Sequence, residues 1–101
     1  MMMTTATSQN SLPTRMLPKA SVVIRGRMFP AEICEAVLQG GILDTHAEIS
    51  KGSLIPLKLL SDTPATLTIH VLEVTAGKAI FRLYGNDGHA LRVWEQFVRD
   101  Q

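Results

Sequence analysis

The chain has 101 residues, of which 46% are hydrophobic and 19% are charged, and this composition predicts one globular domain and excludes disorder over most of its length. Ten basic and nine acidic residues leave a net charge of +1, so no broad positive field favours binding to nucleic acid. The single cysteine excludes an intrachain disulfide and is compatible with a reducing compartment.

The first residues lack the pattern of a strand or a helix. Residues 1–11 are small and polar, which predicts a disordered tail. Residues 12–19 contain two prolines, which favour an extended lead-in to a single domain spanning residues 12–101. No apolar run resembles a signal peptide or reaches the roughly 18 residues of a membrane span. We therefore expect a cytoplasmic protein that does not insert into a membrane.

Short apolar strands separated by turns follow. Residues 21–24 are rich in β-branched side chains and are expected to pair with residues 29–33 across a turn at Gly26. The alternation fails at Glu35, where either the strand ends or a bulge resets its phase. Further strands are predicted at residues 42–45 and 54–60, and Pro56 within the second favours an edge position or a bulge.

The second half predicts a hairpin and then a helix. Residues 66–74 alternate cleanly, turn at Ala76 and Gly77, and return as residues 79–84. Asn86 or Asp87 is a suitable cap for the helix. Its apolar residues recur every three or four positions: Ala90, Leu91, Trp94, Phe97 and Val98. These elements predict a mainly β fold, a small six-stranded antiparallel, Greek-key-like β-barrel with one C-terminal α-helix.

Residues that support catalysis are scattered. His46, His70 and His89 lie apart, and no serine stands in a nucleophile-elbow sequence. The glycines match neither of the common phosphate-binding spacings, and no metal-ligand spacing is present. Cys34 is expected to be an inert, buried packing residue. We predict that the protein is not an enzyme and that it uses no metal or cofactor.

Three segments carry a resemblance to a known family. They are MFPAEICEAVLQGGILDTH at residues 28–46, KGSLIPLKLL at residues 51–60, and TLTIHVLEV at residues 66–74. With the order of the elements, they resemble a PilZ domain over residues 15–101. The resemblance implies a six-stranded barrel followed by a helix. It also implies a role in bacterial signalling linked to cyclic di-GMP, which controls motility, pili or biofilm.

PilZ receptors resemble one another in an RxxxR motif before the first strand, and this chain retains half of it. Residues 15–19 read RMLPK, with Arg15 in place and Lys19 at the position of the second arginine. Lysine keeps the positive charge but lacks the planar fork that binds phosphate or a guanine edge in a bidentate manner.

A second receptor motif, [D/N]xSxxG, follows the second strand. With Gly41 as its glycine, Ala36 and Leu38 occupy the Asp and Ser positions. With Gly40 instead, Glu35 and Val37 occupy them. Neither register supplies the hydroxyl, and each lost hydrogen-bonding group costs about 1 to 3 kcal/mol of ligand binding.

The Gly41 register resembles the type IV pilus branch of the family, whose members act as adaptors. It favours a non-enzymatic adaptor that binds protein partners of a signalling or pilus system, with little or no nucleotide binding. The alternative is a genuine cyclic-di-GMP receptor that uses Arg15, Lys19 and residues 36–41. A third hypothesis is an OB-like binder of single-stranded nucleic acid, but only three aromatic residues lie on strands: Phe29, Phe81 and Tyr84.

The expected partner surface of the adaptor lies on the strand at residues 54–60. This run has apolar residues in both phases, so one side of it is expected to be exposed for association. The candidate contact residues are Leu54, Ile55, Leu57 and Leu60.

Overall fold

The computed structural model describes residues 20–60 and 63–101, which form a closed antiparallel barrel and one helix. The predicted tail at residues 1–11 and lead-in at residues 12–19 lie outside this range. The elements are β1 (Ala20–Ile24), β2 (Arg27–Val37), β3 (Gly40–Thr45), β4 (Leu54–Leu59), β5 (Ala65–Thr75), β6 (Lys78–Leu83) and α1 (Gly88–Arg99). The order around the barrel is β1-β2-β3-β6-β5-β4, and β4 pairs again with β1. The predicted fold class is confirmed.

Alternation along each strand directs one set of apolar side chains into the barrel. In β4 and β5, for example, Leu57 pairs with Leu67 and both are fully buried. Removing this surface from water is the main force that closes the barrel. The largest fully buried side chains are Trp94, Leu43, Leu57, Leu59, Leu67, Ile69, Val22 and Val71.

The position of Pro56 shows how a proline is accommodated inside a closed barrel. β4 pairs with β5 along its whole length but pairs with β1 only through residues 57–59. Pro56 lies just before that second pairing begins, where its missing N–H group removes no ladder bond to β1. The expected edge strand is therefore wrong, because β4 has neighbours on both sides, yet the proline does occupy a half-paired position.

A β-bulge interrupts the pairing of β2 with β3 between Ile33 and Glu35. Of the two alternatives that the sequence left open, the bulge is the correct one. It leaves Cys34 unpaired and exposed. The expected burial of Cys34 is wrong, because its side chain points to the outer surface, with Sγ 3.7 Å from the Nζ atom of Lys78.

Asp87 caps the N-terminus of α1, and its carboxylate accepts a hydrogen bond from the Ala90 backbone N–H at 2.8 Å. Asn86, the other candidate cap, instead bridges to β5 through two hydrogen bonds with the Thr68 backbone. Ala90 and Trp94 are buried, but Leu91 is 43% exposed. The inclusion of Leu91 in the packing face is therefore wrong, because α1 packs through a narrower stripe than the spacing suggested.

Replacing Asp87 by alanine is expected to destabilise the protein by about 1 kcal/mol, since the Ala90 N–H group would lose its partner. We expect the melting temperature to fall by roughly 4 to 8 °C in a thermal scan followed by circular dichroism. Asp87→Asn is the matched control, because asparagine also caps helices well and should leave the melting temperature near that of the parent. Equal stability of the alanine variant and the parent would contradict this role of Asp87.

Candidate functional site

The turn between β2 and β3 is a two-residue hairpin loop with an apolar lip. Val37 pairs with Gly40, so Leu38 and Gln39 form the loop. The Gln39 carbonyl accepts a hydrogen bond from the Leu83 N–H at 2.8 Å, which ties the loop to the end of β6. Val37 and Leu38 are at least half exposed. The loop therefore presents aliphatic side chains where a PilZ receptor is expected to present polar ones.

Close backbone packing requires both glycines of this hairpin. A Cβ atom on Gly40 would fall on the Phe81 carbonyl oxygen and 2.6 Å from the Arg82 Cα atom. A Cβ atom on Gly41 would fall on the Glu35 carbonyl oxygen. The glycine pair thus has a structural explanation that does not involve a ligand.

Two side chains from the C-terminal part of the chain, one on α1 and one just after it, donate hydrogen bonds to backbone carbonyls at the end of β2. The Trp94 indole N–H donates to the Val37 carbonyl oxygen at 2.8 Å, and the Gln101 side-chain amide donates to the Ala36 carbonyl oxygen at 2.7 Å. Trp94 is buried, and its ring packs against Phe81 and Phe97 at centroid distances of 5.9 and 5.4 Å. The helix and the hairpin are therefore one packed unit.

The structure brings together the hairpin residues named for ligand binding but gives their side chains different environments. Ala36 is buried in the core, Leu38 is exposed in the loop, and Glu35 is exposed on β2. Gly40 and Gly41 pair with Val37 and Ala36. The other two predicted ligand residues, Arg15 and Lys19, lie outside the described residues.

The predicted partner surface on β4 is wrong for two of its four residues. Ile55 and Leu57 are buried, because alternate residues of a strand in a closed barrel face the interior. Leu54 and Leu60 are exposed, but Leu54 begins β4 and Leu60 follows its last residue, so they lie about 20 Å apart along an extended chain. Leu60 lines a shallow groove of about 510 Å³ together with Pro64 and His89 at the start of α1.

Leu54 belongs to a different surface, on the outer side of β4, β5 and β6. It pairs with His70, which in turn pairs with Arg82. The Tyr84 ring lies edge-on to the His70 ring, with centroids 6.3 Å apart. We call this surface the Arg82 face; its members are Leu54, His70, Leu72, Ile80, Arg82 and Tyr84.

Sequence reasoning missed the Arg82 face, although a signal for it was present. Ile80 and Tyr84 are large apolar or aromatic residues in the outward phase of β6 and its end, and both are exposed. Leu72 follows the buried Val71 in the outward phase of β5, and a bulge between Val71 and Glu73 leaves it without a partner on β6. Only the barrel pairing shows that these residues share one surface with Leu54.

Ion pairs flank the Arg82 face. Lys51 lies 3.6 Å from Glu73, and Lys78 lies 3.5 Å from Asp44. Electrostatic attraction by Cys34, and next by Asp44, raises the pKa of Lys78. Within residues 20–60 and 63–101, Arg82 forms no ion pair.

The described residues contain no cluster of three or more His, Cys, Asp or Glu side chains that could hold a metal ion. In this same part of the chain, no helix is long and apolar enough to cross a membrane. Of the three strand aromatics relevant to nucleic-acid stacking, Phe81 is buried, Phe29 is half-buried and Tyr84 is exposed. This arrangement does not form a row of exposed rings, which the third hypothesis requires.

The chain is similar to a known protein in its three-dimensional structure. No protein-family model matches the chain, and no curated protein matches it either. It is similar to the crystal structure of the PilZ domain of CeSA from a cellulose-synthesizing bacterium, with a TM-score of 0.64 and 12% sequence identity. The match covers 80% of this chain and 88% of that one. The chain therefore has the fold of a PilZ domain.

Proposed function

We propose that this protein is a non-enzymatic adaptor that acts through protein–protein contacts in bacterial regulation linked to cyclic di-GMP. On this proposal it works in the cytoplasm, binds little or no nucleotide itself, and does not have nucleic acid among its partners. The observation that carries the proposal is the hairpin between β2 and β3. The carbonyl groups of Ala36 and Val37 already accept hydrogen bonds from Gln101 and Trp94, and Gly40 and Gly41 are required for close packing of the strands.

The chemistry of that hairpin opposes nucleotide binding. A cyclic dinucleotide presents phosphates and base edges, which require hydrogen-bonding partners at the binding surface. In the Gly41 register the two side chains at this place are the methyl group of Ala36, which is buried, and the aliphatic chain of Leu38. The neighbouring carbonyl groups of Ala36 and Val37 already accept hydrogen bonds from Gln101 and Trp94. Few polar groups are left for a ligand here.

The outer surface supports the protein-binding part of the proposal. Five of the larger exposed apolar or aromatic residues lie on the outer side of β2, β4, β5 and β6 or just after β6: Val37, Leu54, Leu72, Ile80 and Tyr84. Val37 is connected to the others through Gly40, which pairs with both Val37 and Arg82. Contiguous apolar surface interrupted by arginine and tyrosine is typical of contact sites between proteins. The α1 helix does not use this surface, since its buried residues Ala90 and Trp94 join the core cluster of the barrel.

Titration with cyclic di-GMP tests the proposal. We expect no heat in a calorimeter at high micromolar ligand and no movement of the backbone amide signals of residues 36–41. The Leu38→Ser variant restores only the hydroxyl of the motif in the Gly41 register. We therefore expect this variant also to show no heat and no shift of the amide signals on addition of cyclic di-GMP. A micromolar isotherm in the parent that is lost in Arg15→Ala would instead establish the receptor alternative.

A further inference from the structure

We propose that the Arg82 face binds a segment of a partner protein that combines acidic and large apolar side chains. The inference rests on the proposed adaptor function and specifies the chemistry of the partner. It assigns a site to the outer side of β4, β5 and β6, next to the hairpin between β2 and β3, because Arg82 pairs with Gly40.

The geometry supplies a compact surface for such a segment. Arg82 stands at its centre, with Ile80 two residues before it on β6 and Tyr84 two residues after it, just beyond the end of the strand. Across β5, His70 pairs with Arg82, and Leu54 on β4 pairs with His70. Residues paired on one side of a sheet lie about 5 Å apart at Cβ, so an extended or helical segment of a few residues could contact all of them.

The charges specify the partner further. The neighbouring lysines, Lys51 and Lys78, have carboxylate partners in Glu73 and Asp44, whereas Arg82 has none in the described part of the chain. A guanidinium group surrounded by exposed apolar side chains attracts a carboxylate strongly, because a bound apolar partner excludes water from the pair. Arginine and tyrosine are also the residues most often found at the energetic centres of protein interfaces.

The backbone of this surface cannot provide the recognition. β5 pairs with β4 and β6, and β6 pairs with β5 and β3, so neither strand has a free edge for an added strand. Binding at the Arg82 face must therefore come from side chains. Selectivity is then expected to follow the charge of the partner rather than its ability to form a strand.

A defined peptide tests the inference on the full chain. The probe is an eight-residue peptide with two leucines, one tryptophan and three glutamates, and the matched probe has lysine for each glutamate. We expect the acidic peptide to move the backbone amide signals of Leu72, Ile80, Arg82 and Tyr84, and the lysine peptide to leave them unmoved. Arg82→Ala is expected to weaken binding of the acidic peptide at least tenfold, and Arg82→Glu to reverse the preference between the peptides.

Arg92→Ala is the control, because Arg92 is an exposed arginine on α1 outside the Arg82 face. We expect this variant to bind the acidic peptide with the same affinity as the parent. Unmoved signals at millimolar acidic peptide would overturn the inference, as would equal shifts with both peptides or shifts confined to the groove at Leu60 and His89. If neither peptide moves the signals while cyclic di-GMP also gives no heat, the inference about the Arg82 face is wrong and the proposed function stands. Nucleotide binding would overturn the proposed function instead.

Discussion

Alanine in place of Gly40 is expected to lower the free energy of unfolding by more than about 2 kcal/mol. Its Cβ atom would overlap the Phe81 carbonyl oxygen and lie 2.6 Å from the Arg82 Cα atom, so the clash is with backbone on the neighbouring strand. A backbone atom in a paired strand cannot rotate away as a side chain does, so β3 and β6 would have to separate locally. We expect the melting temperature to fall by roughly 8 °C or more, as measured by thermal scans and urea titration.

Gly88→Ala is the matched control for this prediction. A Cβ atom on Gly88 would meet only the end of the Arg92 side chain at 3.5 Å, an ordinary contact. Because alanine is a better helix former than glycine, this variant is expected to be as stable as the parent or slightly more stable. If Gly40→Ala proved as stable as Gly88→Ala, the close approach of β3 and β6 at Gly40 would be wrong.

Trp94→Ala is expected to destabilise the protein by about 3 to 5 kcal/mol, because it removes the largest fully buried side chain and leaves a cavity beneath α1. The indole ring fills the space between Phe81 and Phe97. Since small domains are stable by only about 5 to 15 kcal/mol, the variant is expected to be partly unfolded at moderate temperature. Urea titration followed by circular dichroism measures the loss.

Trp94→Phe separates the hydrogen bond from the packing. Phenylalanine keeps an aromatic ring but has no N–H group for the Val37 carbonyl oxygen, so we expect a smaller loss of about 1 to 3 kcal/mol. The Val37 and Leu38 amide signals should shift in the same variant. Tyr84→Phe is the control, because Tyr84 is exposed and its substitution should change stability by less than about 0.5 kcal/mol. Parent-like stability of Trp94→Phe would show that the indole hydrogen bond is not required.

Local sequence patterns predicted most of the strands and the phase of their core residues. The hairpin formed by β5 and β6 follows from clean alternation around Ala76 and Gly77, and its turn lies where it was expected. The start of α1 was predicted to within one residue, at Asn86 or Asp87, because helix capping depends on neighbouring residues alone, and the structure uses Asp87. Interactions of this kind reach only a few residues along the chain, so the sequence displays them directly.

The errors arose where distant strands decide the environment of a residue. Ile55 and Leu57 were assigned to a contact surface, and closure of the barrel buried them. Cys34 and Leu72 lie in the outward phase of β2 and β5, and the bulges beside them shift the pairing so that Glu35 and Glu73 are outside as well. A bulge can be suspected from a break in alternation, as at Glu35, but its position depends on the partner strand.

The candidate site was predictable only in part. The sequence indicated that the hairpin at residues 36–41 lacks a serine and has adjacent glycines, which is sufficient to question a nucleotide ligand. That Trp94 and Gln101 donate to the hairpin carbonyls, and that Leu54 shares a surface with Arg82, depends on contacts between residues far apart in the chain.

The sequence by itself determined a small mainly β domain, six strands with their inward phases, one capped C-terminal helix, and a receptor motif without its hydroxyl. Those features depend on local alternation, turn chemistry and residue identity. Only the tertiary structure decided which backbone atoms Gly40 and Gly41 approach and which carbonyl oxygens accept hydrogen bonds from Trp94 and Gln101. It also decided which outward side chains form the Arg82 face. These depend on the register of strands that are distant in sequence, and a shift of one residue moves each side chain to the other side of the sheet.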